Sequence, residues 1–200
     1  MDTGEGGCND NYVYKNDFSY APTNGVEITF SKNKIIENII YECDHGIWGG
    51  YSWNTSITGN RFYKNRIGIA IEHGQYNNIS NNTFESNKLA AVKLWARKTQ
   101  PSDWGYANKR ETRSMQYNFW ENHFKNEQVA FDMTLTQDIV LFKNKFENTK
   151  TQIKKDSLVI QTPTGPVIIP NDWVIAMTGY QPDLTFLKKI GIQLSKDKVH

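Results

Sequence analysis

A recurrence at intervals of 22 residues constrains the fold of this sequence more than any other feature. Each occurrence is an asparagine followed two residues later by a large apolar side chain. Four such pairs follow one another at this interval, and two more follow after an interval of 40: Asn16–Phe18, Asn38–Ile40, Asn60–Phe62, Asn82–Phe84, Asn122–Phe124 and Asn144–Phe146. The longer interval indicates an insertion of 18 residues in one repeat, at about residues 97–114. A fixed period of this length is typical of solenoid proteins, in which each repeat stacks on the next.

Asparagine is the residue type that the repeat concentrates. Of the 21 asparagines in the chain, 20 precede residue 150, and a second one often follows four or five residues after the first, at Asn65, Asn87, Asn126 and Asn148. Asparagine is unfavourable in helices and strand interiors but suits turns and the left-handed backbone conformation. We therefore expect these residues at bends between short strands, with their amides hydrogen-bonded along the stack. This composition argues against a helical bundle or a coiled coil.

A second column, in phase with the asparagines, predicts strands. It consists of a small residue followed by apolar side chains at alternate positions, at Gly25–Ile28, Gly46–Gly49, Gly68–Ile71, Ala91–Leu94 and Ala130–Met133. Alternation with a period of two is the pattern of a β-strand. A shorter apolar segment precedes each asparagine, as at residues 139–142. Each repeat therefore contains two or three short strands, and a unit of this kind is too short for a helical solenoid.

The period, the Asn-x-Phe column and the small-apolar column together resemble the right-handed parallel β-helix repeat of pectate-lyase-like proteins. The resemblance covers about residues 9–149 and implies an all-β solenoid of about six coils, which we assign to a domain at residues 1–149. Coils stacked at about 4.8 Å would superimpose the apolar members of the first column, Phe18, Ile40, Phe62, Phe84, Phe124 and Phe146, into an inward ladder. The resemblance also implies a bacterial protein that interacts with carbohydrate, although a fold alone does not define an activity.

The predicted outward positions of the small-apolar strand form two columns. The first column contains Glu27, Trp48, Ala70, Lys93 and Asp132, and the second contains Thr29, Gly50, Glu72, Trp95 and Thr134. Aromatic rings pack against the C–H faces of sugars, while charged groups and amides bind their hydroxyls. We therefore predict a carbohydrate-binding face, with the insertion folding over it as a lip. Its predicted substrate-binding residues are Trp48, Tyr51, Trp95, Arg97, Trp104 and Arg110. The alternative is that these aromatic residues pack under the insertion and bind no ligand.

Glu72 and His73 are the candidate catalytic residues, as a proton donor or acceptor at the end of a strand. A solvated glutamate and a turn histidine are the alternative interpretation. Glu27 and Glu72 are two coils apart and offset, which places them roughly 10–12 Å apart, whereas paired glycosidase carboxylates lie about 5–9.5 Å apart. The residues therefore leave open whether the chain is an enzyme, such as a lyase, hydrolase or epimerase, or a binding protein. Lys93 and Asp132 lie in adjacent coils and are expected to form an ion pair.

Several function classes are disfavoured by composition. The net charge of +2 is not concentrated in a basic stripe, so nucleic acid is not an expected partner. No apolar run approaches the roughly 20 residues of a membrane-spanning helix. Cys8 and Cys43 provide neither a disulfide framework nor zinc-ligand spacing, and no Gly-x-Gly-x-x-Gly motif is present, so we predict no metal and no cofactor. The polar N-terminus is unlike a signal peptide. The compartment and the oligomeric state are left open, although related β-helix proteins are usually exported.

Residues 150–200 differ in composition, since they contain one asparagine, and are assigned to a C-terminal appendage. We predict strands at residues 157–162, 167–169 and 172–177 and a helix at residues 183–190. Residues 153–195, which include Thr178-Gly179-Tyr180-Gln181-Pro182, resemble a late segment of thioredoxin-reductase-like flavoproteins of the bacillithiol disulfide reductase type. This implies a remnant or fusion without its cofactor motif, and the alternative is a hairpin that caps the last coil. For the whole chain, a non-catalytic structural or adhesive solenoid is the main alternative to carbohydrate binding.

Overall fold

The chain forms a parallel β-solenoid of six coils in a computed structural model that describes residues 7–98, 105–155, 157–162 and 165–170. The first three coils contain β1 (Tyr12–Tyr14), β2 (Asp17–Ser19), β3 (Asn24–Glu27), β4 (Lys34–Ile36), β5 (Ile39–Tyr41), β6 (His45–Trp48), β7 (Ser56–Thr58), β8 (Arg61–Tyr63) and β9 (Ile67–Glu72). The last three contain β10 (Asn78–Ser80), β11 (Thr83–Glu85), β12 (Ala90–Trp95), α1 (Gly105–Lys109), β13 (Ser114–Trp120), β14 (His123–Lys125), β15 (Val129–Thr134), β16 (Thr136–Phe142), β17 (Lys145–Glu147) and β18 (Thr151–Lys155).

Each coil contributes one strand to each of three parallel six-stranded sheets. Sheet A contains β1, β4, β7, β10, β13 and β16; sheet B contains β2, β5, β8, β11, β14 and β17; and sheet C contains β3, β6, β9, β12, β15 and β18. Neighbouring coils pair in register, so that Phe62 lies opposite Phe84, and Phe84 lies opposite Phe124 across the insertion. This confirms the predicted repeat of 22 residues with one interval of 40.

The inward side chains of sheet B form the predicted aromatic ladder. Ile40, Phe62, Phe84 and Phe124 are completely buried. Ring centroids are 5.0 Å apart between Phe62 and Phe84, 4.9 Å between Phe84 and Phe124, and 5.1 Å between Phe124 and Phe146. The rings are nearly parallel because successive coils repeat the same backbone path. Burial of this column, together with the inward residues of sheets A and C, forms one continuous hydrophobic core.

The asparagines of the first column form a continuous ladder of hydrogen bonds. In five successive steps, the backbone N–H of one asparagine donates to the side-chain carbonyl of the next, as Asn60 does to Asn82 at 2.8 Å. The side-chain amide of Asn82 also donates to the carbonyl of Ile57 in the preceding coil at 2.8 Å. The left-handed conformation is adopted one residue earlier, at Lys15, Glu37, Gly59, Asn81, Glu121 and Lys143. The ladder is as expected, but the residues before the asparagines form the bends.

The asparagines that follow four or five residues after the first column are of two structurally different kinds. Asn65 and Asn87 are buried, and the Asn65 amide donates to Asn87 Oδ1 at 3.2 Å. In the next coil Glu127 takes the equivalent position and accepts from Asn87 Nδ2 at 2.8 Å. Asn126 and Asn148 are instead exposed and have φ angles of 53° and 48°. A second asparagine five residues after the first-column asparagine is thus a ladder amide, whereas one four residues after it lies in a left-handed turn.

The C-terminal region continues the solenoid before it changes. β18 extends sheet C beyond residue 149, where the loss of asparagine placed the domain boundary. β19 (Ser157–Thr162) and β20 (Gly165–Pro170) form the predicted antiparallel hairpin. The third strand and the helix predicted for this region lie outside the described residues. Within the described part of the chain, no helix is long and apolar enough to span a membrane.

Candidate functional site

The two predicted outward columns are present on the outer face of sheet C. Trp48, Ala70, Lys93 and Asp132 occupy equivalent positions in β6, β9, β12 and β15, and Glu72 lies opposite Trp95. The intervening residues of these strands point into the core, as their burial shows. A single face of sheet C therefore carries aromatic, acidic and basic side chains close together.

Two indole rings meet on this face and form what we call the tryptophan pair. The ring centroids of Trp48 and Trp95 are 5.5 Å apart with an interplanar angle of 59°, and both side chains are half-buried. They belong to different columns and are separated by one coil. That coil contributes Ala70, whose small side chain is fully buried. Gly50 also provides space, since a Cβ there would lie 3.3 Å from Trp48 Nε1. The small residues allow the two rings to share one apolar platform.

Glu72 fixes the orientation of one ring and of a neighbouring guanidinium group. Trp95 Nε1 donates to Glu72 Oε1 at 3.0 Å, and Arg97 Nε donates to the same oxygen at 2.7 Å. Glu72 is 8% exposed, whereas the Arg97 side chain is 72% exposed. Among the described residues, the terminal amino groups of Arg97 have no partner. Arg97 is thus held at Nε while its other donors remain available to an anionic ligand.

A second ion pair borders the tryptophan pair, as predicted from the column. Lys93 Nζ lies 3.5 Å from Asp132 Oδ2 in the next coil and 5.8 Å from the centroid of the Trp95 ring. Both charged side chains are partly exposed. The ammonium group therefore lies beside the aromatic platform without being buried.

A third charged group lies beside Trp48, where Arg66, which was not among the predicted site residues, joins the Asp44-His45 pair. Arg66 binds Asp44 through Nε and a terminal nitrogen, and it also donates to His45 Nε2 at 2.9 Å. The Nδ1 atom of His45 therefore carries the proton, and it lies 3.1 Å from Asn24 Oδ1. Burial lowers the pKa of His45. The His45 and Trp48 rings are 5.1 Å apart. The signal in the sequence is the adjacent Asp44-His45 pair, which places an acid and an imidazole where β6 begins.

Tyr51 and His73 lie in a buried corner beside this face rather than on it. Their rings stack with centroids 4.8 Å apart, and Phe30 continues the stack below Tyr51 at 5.0 Å. His73 Nδ1 donates to the backbone carbonyl of Thr112, and Nε2 accepts from the backbone N–H of Arg97 at 3.0 Å. Burial lowers the pKa of His73, so the neutral ring serves both contacts. His73 thereby ties both ends of the insertion to the solenoid.

The described part of the insertion packs on the same corner. Tyr106 in α1 is 1% exposed, and its hydroxyl donates to the carbonyl of Tyr51 at 3.2 Å. The guanidinium of Arg110 lies 4.9 Å from the Trp53 ring and 5.7 Å from the Tyr106 ring. This part of the insertion forms a wall at the ends of the sheet C strands. Trp104, predicted to bind substrate, lies outside the described residues.

The structure thus divides the predicted site residues into two groups. Trp48, Glu72, Trp95 and Arg97 lie together on the face of sheet C, whereas Tyr51, His73 and Arg110 lie at the corner occupied by α1. A catalytic role for Glu72 and His73 stays a prediction. Within the part of the chain that the structure describes, no group of three or more His, Cys, Asp or Glu residues is placed to hold a metal ion.

Comparison with known proteins gives a family match but no activity. A family model described as "Right handed beta helix region" matches residues 4–160. A Bacillus licheniformis protein, described as "Uncharacterized protein in ansA 5'region", is 36% identical over 53 residues, which make up 26% of this chain and 43% of that relative. The matched part thus spans less than half of that relative's length. No solved structure matches the chain. The flavoprotein resemblance of residues 153–195 is not supported.

Proposed function

We propose that this chain, which belongs to the right-handed β-helix family, binds an acidic oligosaccharide or polysaccharide on the outer face of sheet C. The observation that carries the proposal is the tryptophan pair, which lies between the ion pairs of Glu72 with Arg97 and of Lys93 with Asp132. The three features involve four consecutive coils, β6 to β15, so a chain-like ligand could lie across the strands.

The tryptophan pair supports a sugar as the ligand. Two half-buried indole rings form an apolar platform on an otherwise charged face. The C–H groups of a pyranose ring pack on such a platform, while polar groups around it bind the hydroxyls. Glu72 holds Trp95 in place, which lowers the entropy lost when a ligand orders the ring.

The free donors of Arg97 support an acidic sugar. Its terminal amino groups match the two oxygens of a carboxylate, and such bidentate pairs are among the stronger hydrogen bonds in proteins. Lys93 adds a second positive charge beside the platform. A uronic acid placed over Trp95 would bring its carboxylate within reach of both groups.

The contacts favour binding over proton transfer. Both ring nitrogens of His73 are bonded to backbone atoms of the insertion, and the side chain is 1% exposed. Glu72 Oε1 already accepts from Trp95 and Arg97. These groups are therefore assigned to positioning the face, and a Glu72→Gln variant is expected to weaken binding rather than to abolish a turnover.

Calorimetric titration with oligogalacturonate tests the proposal. Trp48→Ala and Trp95→Ala are each expected to lower the affinity by about tenfold or more, which is the usual loss when a central aromatic contact is removed. Arg97→Met should abolish the preference for oligogalacturonate over the neutral galactan oligomer of the same length. Tyr20→Ala is the control, because Tyr20 is 67% exposed and lies outside sheet C.

Two results would contradict the proposal. One is the absence of binding by the wild-type chain to any acidic oligosaccharide at millimolar concentration, which would favour a structural or adhesive solenoid. The other is an unchanged affinity in both tryptophan variants, which would place the binding site elsewhere.

A further inference from the structure

A depression of about 540 Å³ lies on the outer face of sheet A, on a different side of the solenoid from the tryptophan pair. Tyr76, Gln116 and Asp138 line it at equivalent positions of three successive coils, each with a φ angle between 53° and 57°. Asn78 and Asn118 line it from the strands that follow these turns, β10 and β13. The turns leading into sheet A and the strands that follow them thus place one aromatic, one acidic and four amide side chains around a single depression, the amides being Asn54, Asn78, Gln116 and Asn118.

The amides in the depression have unused hydrogen-bonding capacity. Gln116 Oε1 is a buried atom without a hydrogen-bond partner among the described residues. Asn118 Nδ2 donates to Asn78 Oδ1 at 2.9 Å, and within the described chain the remaining donor and acceptor of this pair have no protein partner. Because buried polar atoms are nearly always paired with protein, water or a ligand, Gln116 Oε1 requires such a partner, whereas the exposed Asn78–Asn118 pair is accessible to a ligand. The unused groups include both donors and acceptors, as a ligand rich in hydroxyl groups requires.

Exposed aromatic rings continue the same face beyond the depression. Trp120 follows Asn118 by two residues and is 48% exposed. Phe142 lies opposite Trp120 in the next coil and is 52% exposed. Side chains two residues apart on a strand lie on one face at about 7 Å. A ligand that reaches from the amides to Trp120 would therefore contact polar groups and an aromatic ring together.

The charges around the depression indicate that this ligand is neutral. Asp138 is the one ionised group among its lining residues. Arg113, which interacts electrostatically with Asp138, is already bonded to Glu111 through two nitrogens at 2.9 Å and 2.6 Å. Among the residues that line the depression there is no cation to balance a carboxylate or phosphate of the ligand beside Asp138, whereas a hydroxyl group could donate to Asp138.

We propose that the outer face of sheet A is a second binding site, which takes a neutral oligosaccharide. A second copy of this chain is the competing occupant, because Trp120 and Phe142 form an exposed apolar patch. A flat protein surface would cover the depression without entering it, and would leave Gln116 and the asparagine pair desolvated and unpaired. A sugar enters the depression and supplies the missing partners. The inference does not rest on the sheet C proposal, because it uses other residues and a ligand of different charge.

Titration with neutral pentasaccharides of glucose, mannose, xylose and galactose tests the inference, with oligogalacturonate as the acidic comparison. At least one neutral pentasaccharide is expected to bind, and Trp120→Ala and Asn118→Ala should each weaken it by about tenfold. Tyr14→Ala is the matched control. Tyr14 is an aromatic residue at the position of sheet A equivalent to that of Trp120, but it lies four coils away from it. Far-ultraviolet circular dichroism identifies variants that fail to fold. If Trp120→Ala fails to fold, the affinity of Asn118→Ala decides the test.

Four outcomes would overturn the inference. The first is that none of the neutral pentasaccharides binds at millimolar concentration. The second is that they bind equally well to folded Trp120→Ala and Asn118→Ala. The third is a wild-type dimer in light scattering that dissociates in Trp120→Ala, which would make this face an interface between copies. The fourth is a loss of neutral binding in Trp48→Ala alone, which would assign both ligands to sheet C.

Discussion

Glu127 is a carboxyl group in a column of amides. It is completely buried and accepts hydrogen bonds at Oε1 from the backbone N–H and the side chain of Asn87, at 3.3 Å and 2.8 Å. Among the described residues its Oε2 has no partner. Burial raises the pKa of Glu127 from 4.5 to about 7. The pKa of Glu127 is higher in the folded protein than in the unfolded chain, so the protonated carboxyl group stabilises the folded state. This contribution to the free energy of unfolding is complete below pH 4.5 and is lost as the pH rises through 7.

Glu127→Gln is therefore expected to change how stability depends on pH. The variant keeps the acceptor for Asn87 but cannot ionise, so above pH 8 its free energy of unfolding should exceed that of the wild type by roughly 3 kcal/mol. Below about pH 4.5 the two proteins should be almost equally stable. Urea unfolding at a series of pH values measures this difference, with Glu37→Gln as an exposed control. A constant difference across the pH range would show that Glu127 does not titrate as described.

Single residues also show what the sequence could and could not predict. The spacing of 22 identifies the ladder asparagines, because stacked equivalent positions must repeat with the coil. It does not separate Asn82, which is 1% exposed in the ladder, from its neighbour Asn81, which has a φ angle of 54°. Both residues suit a bend. The backbone conformation, which the spacing does not reveal, places the Asn82 amide in the ladder and leaves Asn81 exposed.

The insertion is the element that binds the corner of the solenoid. The length and position of the insertion follow from the interval of 40 residues between Asn82 and Asn122. Its packing cannot be predicted in this way, because an insertion that occurs once has no period that would identify its buried face. Tyr106 supplies that face by packing edge-on against Phe30 and Tyr51, at 4.9 Å and 5.6 Å. α1 therefore lies at the end of the sheet C strands instead of over the tryptophan pair.

Tyr106→Ala is expected to detach α1 from this corner. The loss of a buried aromatic ring should lower the free energy of unfolding by about 3–5 kcal/mol, whereas Tyr106→Phe keeps the ring and removes the hydroxyl that donates to the Tyr51 carbonyl, which should cost about 1 kcal/mol. Limited digestion with trypsin, analysed by mass spectrometry, should show faster cleavage at Lys109 and Arg110 in Tyr106→Ala. Equal cleavage rates in the wild type and this variant would mean that Tyr106 does not hold the insertion.

At the scale of the whole molecule, the coil repeat determines which residues can meet. The repeat alone predicts that Trp48, Glu72 and Trp95 share one face, since equivalent positions of a solenoid must stack. It does not identify the depression on sheet A, because left-handed turns at Tyr76 and Gln116 direct those side chains outside the simple alternation of a strand. Nor does it predict the contact of Arg66 with Asp44 and His45, since that contact depends on where β6 begins.

The central claim is that the tryptophan pair is the contact surface for an acidic sugar. Heteronuclear NMR resolves the indole N–H groups of the six tryptophans, and a titration with oligogalacturonate tests the claim directly. We expect the Trp48 and Trp95 signals to shift in a saturable manner while those of Trp53 and Trp120 stay in place. The claim would be contradicted by saturable binding that leaves the Trp48 and Trp95 signals unchanged. This holds whether the Trp120 signal shifts or none of the indole signals does.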